Sequence, residues 1–305
     1  DVLIGGLDGG GSFSGRLDDY RYQLDTAALW RKLPLRLKSQ GQGSLSQIGF
    51  APLNVAVEKG TAEVSGTLAW SPALKADLKG TVSNLDPALF NADWAPPCAA
   101  KTTSKSARKP AACPPSVINA TFDTHTTMQN GQPQIAFDAS VERSQLRGYP
   151  LSLAAQGSTD TRSVRLQKFL LQSGQGSLSA SGTAAWAPQL RADLEAQLQN
   201  FDPAQFAAAF KGNINGNLTA HTRDSGGKPD IAFGLAIDRS QLRGQPLRLD
   251  AAGDYRAGVV MLQKLMLAAG STRLEASGQA TPPFDLKGRL DSPELSALDP
   301  DLGGS

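Results

Sequence analysis

Hydrophobic and polar residues alternate with a period of two along several stretches of the chain. In residues 190–199, leucine and alanine occupy every second position, and the residues between them are charged or polar. The same alternation is found in residues 74–82, 135–141, 231–237 and 284–290. Because successive side chains of a strand point to opposite faces, this pattern predicts strands with one apolar and one polar face. The fold class it favours is all-β, with an antiparallel sheet that exposes its polar face to water.

Turn-forming residues separate the predicted strands, as at Asn130-Gly131 and Ser225-Gly226-Gly227. Helical signals are few. The sequences Asn84-Leu85-Asp86-Pro87 and Asn200-Phe201-Asp202-Pro203 each predict a short helix, the second through about Phe210. In both, the aspartate is the expected N-cap and the proline begins the first turn. We expect about 25 strands, which at about 4.8 Å per strand would form a sheet of order 120 Å if continuous.

Internal repeats organise the chain. Residues 144–148, Ser-Gln-Leu-Arg-Gly, recur at 240–244, an offset of 96, and Ser65-Gly66-Thr67 recurs at 181–183, an offset of 116. The difference of 20 residues matches the Pro-, Lys- and Ala-rich stretch 95–116, which we interpret as an inserted loop. We predict three repeats of about 96 residues in one continuous β architecture, with short helices at the junctions. The boundaries are 1–94, 117–212 and 213–305.

The inserted loop carries the only two cysteines, Cys98 and Cys113. Two cysteines in one loop favour a local disulfide in an oxidising compartment, and the closed loop would stabilise the fold by roughly 3 kcal/mol. Two unpaired thiols are the alternative. The loop also contains a basic cluster without interleaved aromatic residues, which favours a solvated segment over a binding site. Its members are Lys101, Lys105, Arg108 and Lys109.

Composition narrows the possible functions. The 305 residues include 30 basic and 28 acidic side chains, so the net charge of +2 gives no indication of a nucleic-acid partner. No run of 18 apolar residues predicts a membrane-spanning helix. The chain starts at Asp1 without a basic and apolar leader, and we expect it to be an internal piece of a longer or processed protein.

The sequence lacks the residue patterns of the common enzyme classes. His125 and His221 are repeat equivalents with no carboxylate or thiol at ligand spacing along the chain, which favours strand or surface histidines over catalytic or zinc-binding ones. Carboxylates such as Asp77, Asp193 and Glu195 are interpreted as solubilising charges. No nucleophile elbow, P-loop or dinucleotide motif occurs. We expect neither catalysis nor a metal ion or cofactor.

An apolar sheet face needs either a cover or a ligand, and three arrangements satisfy this requirement. Two sheets can close on each other and fill the interior, or a compact barrel or sandwich can surround one small ligand. A curled sheet can instead leave an apolar trough for acyl chains. The alternation of leucine with alanine in residues 190–198 and the aromatic content of 6% modestly favour the trough. Small residues facing large ones can also interdigitate in a filled core.

A longer motif narrows these alternatives. Gly-Thr-x-x-Trp-x-Pro-x-Leu-x-Ala-Asp-Leu, followed by Asn-Leu/Phe-Asp-Pro-Ala-x-Phe, occurs at Gly66–Phe90 and again at Gly182–Phe206. A degenerate third copy has Pro282 in place of the tryptophan, and Asn213–Leu218 follows the second copy as a Gly-x-Leu strand. This pattern resembles the TamB family of AsmA-like periplasmic proteins over most of the chain. The inserted loop is not part of the family pattern.

The resemblance implies an elongated, curled antiparallel sheet, described as a β-taco, with a hydrophobic groove. It also implies a periplasmic bridge, anchored in the inner membrane of a Gram-negative bacterium, that carries phospholipids to the outer membrane. The implied partners are phospholipid acyl chains, the outer-membrane barrel TamA through regions outside this chain, and further strands of the same protein at both sheet edges. The resemblance implies no catalytic residues.

The strand phase assigns twelve apolar residues to the groove, where they would contact acyl chains. They are Leu74, Leu78, Ile135, Phe137, Leu190, Leu194, Leu198, Ile231, Phe233, Leu235, Leu286 and Leu290. Ordinary core packing is the alternative for each of them. The second functional hypothesis is a structural or chaperone-like β-array that presents strand edges to outer-membrane proteins or autotransporters during assembly. An extracellular adhesin would need exposed binding loops, and only residues 95–116 qualify.

Overall fold

The computed structural model describes most of the chain as β-structure. The described residues are 4–31, 33–90, 116–205, 210–225 and 228–293. Contacts divide the chain into two units, unit 1 (residues 1–161) and unit 2 (residues 162–305).

Unit 1 contains nine strands, each paired antiparallel with the next strand in the chain. The strands are β1 (Ile4–Arg16), β2 (Asp19–Trp30), β3 (Leu33–Gly43), β4 (Gln47–Val57), β5 (Gly60–Ala69), β6 (Lys75–Leu85), β7 (Ile118–Gln129), β8 (Gln132–Leu146) and β9 (Tyr149–Thr159). No pairing joins β1 to β9 in the described part of the unit, so this sheet does not close into a barrel.

Unit 2 contains nine further strands in the same antiparallel chain order. They are β10 (Ser163–Ser173), β11 (Gly176–Ala185), β12 (Arg191–Phe201), β13 (Gly212–Ser225), β14 (Lys228–Leu242), β15 (Gln245–Arg256), β16 (Val259–Ala269), β17 (Thr272–Gln279) and β18 (Asp285–Asp291). The predicted all-β, antiparallel fold class is confirmed. The expectation of about 25 strands was wrong, because most of the 18 strands described are 10 to 15 residues long.

Two-residue turns with left-handed backbone join several of these strands. Asn130 and Gly131, predicted to form a turn, have φ values of 52° and 74° between β7 and β8. Arg147-Gly148 and Arg243-Gly244 have the same signs of φ between β8 and β9 and between β14 and β15. Two consecutive residues with positive φ match the right-handed twist of the flanking strands, which is why such turns connect hairpins.

Within the described residues, the two predicted helices are 3₁₀ turns at Pro87–Leu89 and Pro203–Gln205. Their predicted N-caps are confirmed, because the Asp86 carboxylate accepts a hydrogen bond from the Ala88 amide at 2.9 Å and Asp202 accepts one from Ala204 at 3.0 Å. Three other predictions lie outside the described residues. They are the continuation of the second helix through residues 206–209, the Gly226-Gly227 part of a turn, and the inserted loop with Cys98, Cys113 and the cluster Lys101, Lys105, Arg108 and Lys109.

A repeated hydrogen-bond cluster secures the places where the strand register shifts. The Asn215 amide donates to Ser240 Oγ at 2.8 Å, and Asn215 Oδ1 accepts from the Asn200 amide at 2.8 Å. Asn119 makes the same two bonds with Ser144 and Asn84, at 2.8 and 2.9 Å. We call these the Asn–Ser clamps. They satisfy backbone groups that the β-bulges leave outside the ladder.

Each sheet has little filled interior. Among the described residues only three hydrophobic side chains are buried, namely Val57, Ile214 and Ile231. Within each unit, most other apolar residues of the strands are half-buried by their neighbours in the same sheet. A pair of closed sheets with interdigitated side chains would bury many more of them. The filled-core arrangement therefore does not describe either unit. The predicted repeat boundaries at residues 94, 116 and 212 stay a prediction.

Candidate functional site

The two faces of the strands differ as the sequence predicted. In β12, Ala192, Leu194, Ala196 and Leu198 are half-buried, whereas the alternate positions from Arg191 to Gln199 are exposed. The alternation in β6 and in the first half of β8 follows the same phase. One face of each unit is therefore apolar and half-buried, and the other is polar and solvated.

Register pairing joins the apolar side chains of unit 2 into a continuous row across all nine strands. The row runs through Leu166, Gly182, Leu194, Ala220, Phe233, Gly253, Leu262, Gly278 and Leu286 from β10 to β18. Large and small residues alternate along it. Leu194 is therefore flanked by Gly182 and Ala220, and its side chain stands above both neighbours on the apolar face.

Unit 1 contains an equivalent row. It runs through Phe13, Tyr22, Gly41, Phe50, Gly66, Leu78, Thr124, Phe137 and Gly157 from β1 to β9. From Phe50 onward its members correspond to those of unit 2 at the offsets of 116 and 96 residues, with Phe50 in place of Leu166 and Thr124 in place of Ala220. The sequence repeat is therefore also a repeat of this apolar surface.

Several glycines in these rows hold neighbouring strands close together. Gly66 and Gly182 have φ values of +139° and +130°, and a Cβ added to either would lie about 2 Å from the carbonyl oxygen of Asp77 or Asp193. At Gly253 an added Cβ would lie 2.7 Å from Cζ of Phe233. Only glycine fits these conformations and contacts.

The predicted groove residues occupy this face with different exposure. Five of them lie in the two rows, namely Leu78, Phe137, Leu194, Phe233 and Leu286. Five others share the face on parallel rows, namely Ile135, Leu198, Ile231, Leu235 and Leu290. Leu74 and Leu190 precede β6 and β12 and are 40% and 42% exposed. On β18, Leu286 and Leu290 are 48% and 58% exposed.

An apolar pocket of about 340 Å³ lies at one end of the apolar face of unit 1. Its lining is almost wholly hydrophobic and comprises Trp30, Leu35, Val55, Val57, Gly60, Thr61, Ala62, Val82, Leu85 and Phe90. The rings of Trp30 and Phe90, both in this lining, approach to 5.3 Å between centroids. We call it the Trp30–Phe90 pocket. This pocket is not evident from the sequence, because Trp30 lies outside the repeated motif and Phe90 is marked only by its place at the end of that motif.

The turn beside this pocket carries a guanidinium group. Arg31 follows Trp30 with φ of 52°, and its guanidinium carbon lies 5.2 Å above the Trp30 ring. Arg147 and Arg243 hold the equivalent turn positions, with φ of 54° and 52°. The guanidinium carbon of Arg243 lies 5.2 Å from the ring of Phe210. An arginine therefore occurs at the same turn in each repeat.

The polar faces carry charged pairs rather than a convergent site. His125 Nδ1 contacts Asp77, and the equivalent His221 lies 3.9 Å from Asp193. No group of three or more His, Cys, Asp or Glu residues suited to a metal ion occurs in the part of the chain that the structure describes. An open depression of about 690 Å³ lies across β10 to β13, where Lys168, Glu195 and several hydroxyl and amide side chains line it.

The pKa of Asp25 on β2 is shifted by neighbouring charged side chains. Arg36 donates two hydrogen bonds to its carboxylate, at 3.1 and 3.0 Å, and Lys38 lies 3.1 Å away. The hydrogen bond from Arg36, followed by that from Lys38, lowers the pKa of Asp25 below its usual value. All three groups are on the solvated face, which is consistent with a surface ion pair.

A comparison with protein-family models identifies the relatives of this chain. Residues 8–108 and 128–305 match the model described as TamB, N-terminal domain. The chain belongs to the TamB family. Neither the comparison with curated proteins nor the comparison with solved structures returned a match. The resemblance carried by the Gly-Thr-x-x-Trp motif is therefore confirmed for most of the chain.

TamB-family proteins are membrane-anchored periplasmic proteins of bacteria and form a bridge family rather than an enzyme family. In this TamB-family chain, no helix of the described residues is long and apolar enough to cross a membrane. The apolar rows, the Trp30–Phe90 pocket and the repeated arginines are the features that can take part in binding.

Proposed function

We propose that the apolar faces of this TamB-family chain bind the acyl chains of phospholipids, as part of a periplasmic bridge between inner and outer membrane. The observation that carries the proposal is the nine-strand row of unit 2. It presents an apolar surface of alternating large and small residues, in a protein whose described residues bury only three hydrophobic side chains. A soluble protein rarely exposes a long apolar surface without a ligand or partner for it.

The proposed mechanism is passive. Burial of apolar surface at about 25 cal/mol per Å² holds an acyl chain without directional bonds, so the chain can slide from one strand to the next. The headgroup projects toward water at the open side of the face. The outer-membrane barrel TamA is the proposed partner, through regions of the protein outside this chain.

Photo-crosslinking in cells tests this proposal. A photoreactive amino acid at Leu194 on the apolar face is expected to capture phospholipid, whereas the same probe at Glu195 on the polar face is expected to capture none. The two positions are adjacent in β12, so the main difference between the two probes is the face of the strand on which each one lies. Lipid at neither position, with only products within the chain, would contradict the proposal.

A charge on the apolar face supplies a second test. Leu194→Arg is expected to block lipid movement without unfolding the sheet, because the residue is half-buried between Gly182 and Ala220 rather than enclosed in a core. Glu195→Arg is the matched control on the polar face. A stably folded Leu194→Arg protein that supports normal lipid transport would count against the mechanism.

The second hypothesis, a chaperone-like array, is favoured by one observation. β1 is a 13-residue strand that pairs only with β2 among the described residues, so its outer backbone groups are available for strand addition. Further strands of the same protein or a client strand would fit there. Crosslinks from β1 to an outer-membrane protein, with none to lipid at Leu194, would favour this hypothesis over lipid transport.

A further inference from the structure

The strongest additional feature is an apolar pocket with a cation beside one of its lining residues. The Trp30–Phe90 pocket has a volume of about 340 Å³, within the range of about 300 to 1,000 Å³ typical of small-molecule sites. Its walls come from the ends of β2, β4 and β6 and the starts of β3 and β5. The turn between β2 and β3, at the same edge of the sheet, carries Arg31.

The local structure places Arg31 beside the lining residue Trp30. Its left-handed backbone, with φ of 52°, turns the chain after Trp30, and the guanidinium lies over the indole ring. Arg31 forms no ion pair with a carboxylate of the described residues, unlike Arg36, Arg223 and Arg256. A guanidinium stacked on an aromatic ring keeps its N–H donors free at the edge for an anion.

We propose that the Trp30–Phe90 pocket and Arg31 form a site for a single phospholipid, with one acyl chain in the pocket and the phosphate on the Arg31 guanidinium. This inference rests on the proposed function and adds a fixed headgroup position to it. Charge complementarity favours an anionic lipid, because a purely apolar peptide or a neutral lipid would provide no anion for the Arg31 guanidinium. Arginine also matches the geometry of a phosphate group by donating two parallel hydrogen bonds.

Arginine also occupies the equivalent turns elsewhere in the chain. Arg147 and Arg243 hold the turn position of Arg31, and Arg243 also lies against an aromatic ring, that of Phe210. A cation next to an aromatic side chain therefore recurs at the equivalent turn in unit 2.

Binding of a phosphatidylglycerol that carries a fluorophore on one acyl chain tests the site, with the chain kept at its full length. Arg31→Asn is the informative variant, because asparagine accepts left-handed backbone more readily than other residues and should preserve the turn. Loss of a charge-assisted phosphate contact should weaken binding at this site about tenfold or more. Arg21→Gln, on the polar face of the same strand, is the matched control and should bind like the parent protein.

A second variant tests the pocket itself. Ala62→Leu fills part of the volume without removing a charge, and it should reduce binding of the same probe while leaving the far-ultraviolet circular dichroism unchanged. Competition identifies the source of the anion. Unlabelled phosphatidylglycerol should displace the probe, and palmitate at equal concentration should displace it poorly, whereas stronger displacement by palmitate would overturn the assignment to a phospholipid.

The outcomes separate this inference from the function on which it rests. Lipid captured at Leu194 together with unchanged probe binding by both Arg31→Asn and Ala62→Leu would overturn the site and leave the proposed function standing. Absence of phospholipid from the parent protein, at Leu194 and in the binding assay alike, would overturn both. Weaker binding by both variants, with Arg21→Gln unaffected, supports the site.

Discussion

The ring of Trp30 lies 5.3 Å from the ring of Phe90, although Trp30 ends β2 and Phe90 follows the 3₁₀ turn after β6. Four strand spacings of about 4.8 Å, or roughly 19 Å, would separate these strand ends in a flat sheet. The sheet is therefore not flat between these strand ends, and the segment after β6, with its 3₁₀ turn, brings Phe90 back to Trp30.

The contact between the two rings should be measurable as a coupling energy. Trp30→Ala and Phe90→Ala are each expected to destabilise unit 1, and the double variant should lose less than the sum by about 0.5 to 1.5 kcal/mol, as found for aromatic pairs. Urea unfolding of the four proteins measures this coupling. A cycle that pairs Phe90→Ala with Trp70→Ala is the control, because the Trp70 indole instead donates a hydrogen bond to Leu45. Equal coupling in both cycles would contradict the contact.

The glycines of the apolar rows give a second prediction. Gly182→Ala should destabilise the protein by about 1 to 3 kcal/mol or more, because it combines a φ of +130° with a Cβ only 2.0 Å from the Asp193 carbonyl oxygen. Gly66→Ala should behave alike, since its φ is +139°. Gly49→Ala is the matched control, with its nearest neighbour at 3.4 Å, and should be neutral or slightly stabilising. Thermal or urea unfolding distinguishes them, and equal stability of all three variants would refute the argument.

Removing the serine of either Asn–Ser clamp should reduce the free energy of unfolding by a similar amount in the two units. Ser240→Ala leaves the Asn215 amide without its acceptor in a buried place and should reduce the free energy of unfolding by about 1 to 3 kcal/mol. Ser144→Ala removes the equivalent bond to Asn119 and should have a similar effect. Ser181→Ala, at an exposed position of β11, should change stability by less than about 0.5 kcal/mol. If the exposed control costs as much as Ser240→Ala, the clamp does not stabilise the bulge.

The fold followed from the sequence wherever period-two alternation was strict. The faces of residues 191–199 in β12 and the turn at Asn130-Gly131 could be assigned because each depends on local chemistry. The number of strands could not, because bulges such as the one between Leu198 and Phe201 extend a strand while shifting its register. Extra residues of this kind interrupt the alternation in the sequence and resemble strand ends.

Only part of the candidate site could be predicted from the sequence. Strand phase places Leu194 and Phe233 on the apolar face. That they share one row, through Ala220 and beside Gly182, is shown only by the register of strand pairing. The Trp30–Phe90 pocket was not predictable, because it forms between side chains 60 residues apart in the chain. Its existence depends on the curvature of the sheet, which alternation does not encode.

The ion pairs of Asp25 predict a pH dependence with a defined sign. Hydrogen bonds from Arg36 and Lys38 lower the pKa of Asp25 in the folded protein, so the stabilisation is present above the unfolded pKa of about 3.9 and is lost as the pH falls through the folded pKa. Asp25→Asn should therefore be less stable than the parent protein at pH 6 and equally stable once the carboxylate of the parent is protonated. Nuclear magnetic resonance titration of the Asp25 carboxyl carbon should give a midpoint below 3.9.

The same titration contains its own control, because removing the donors should remove the shift. Arg36→Gln should raise the Asp25 pKa more than Lys38→Gln does, since the hydrogen bond from Arg36 is the larger cause of the shift. About 1 M salt should also raise it, because all three side chains are exposed and their attraction is screened. A midpoint that stays unchanged in both variants and in high salt would show that the two cations do not set the pKa of Asp25.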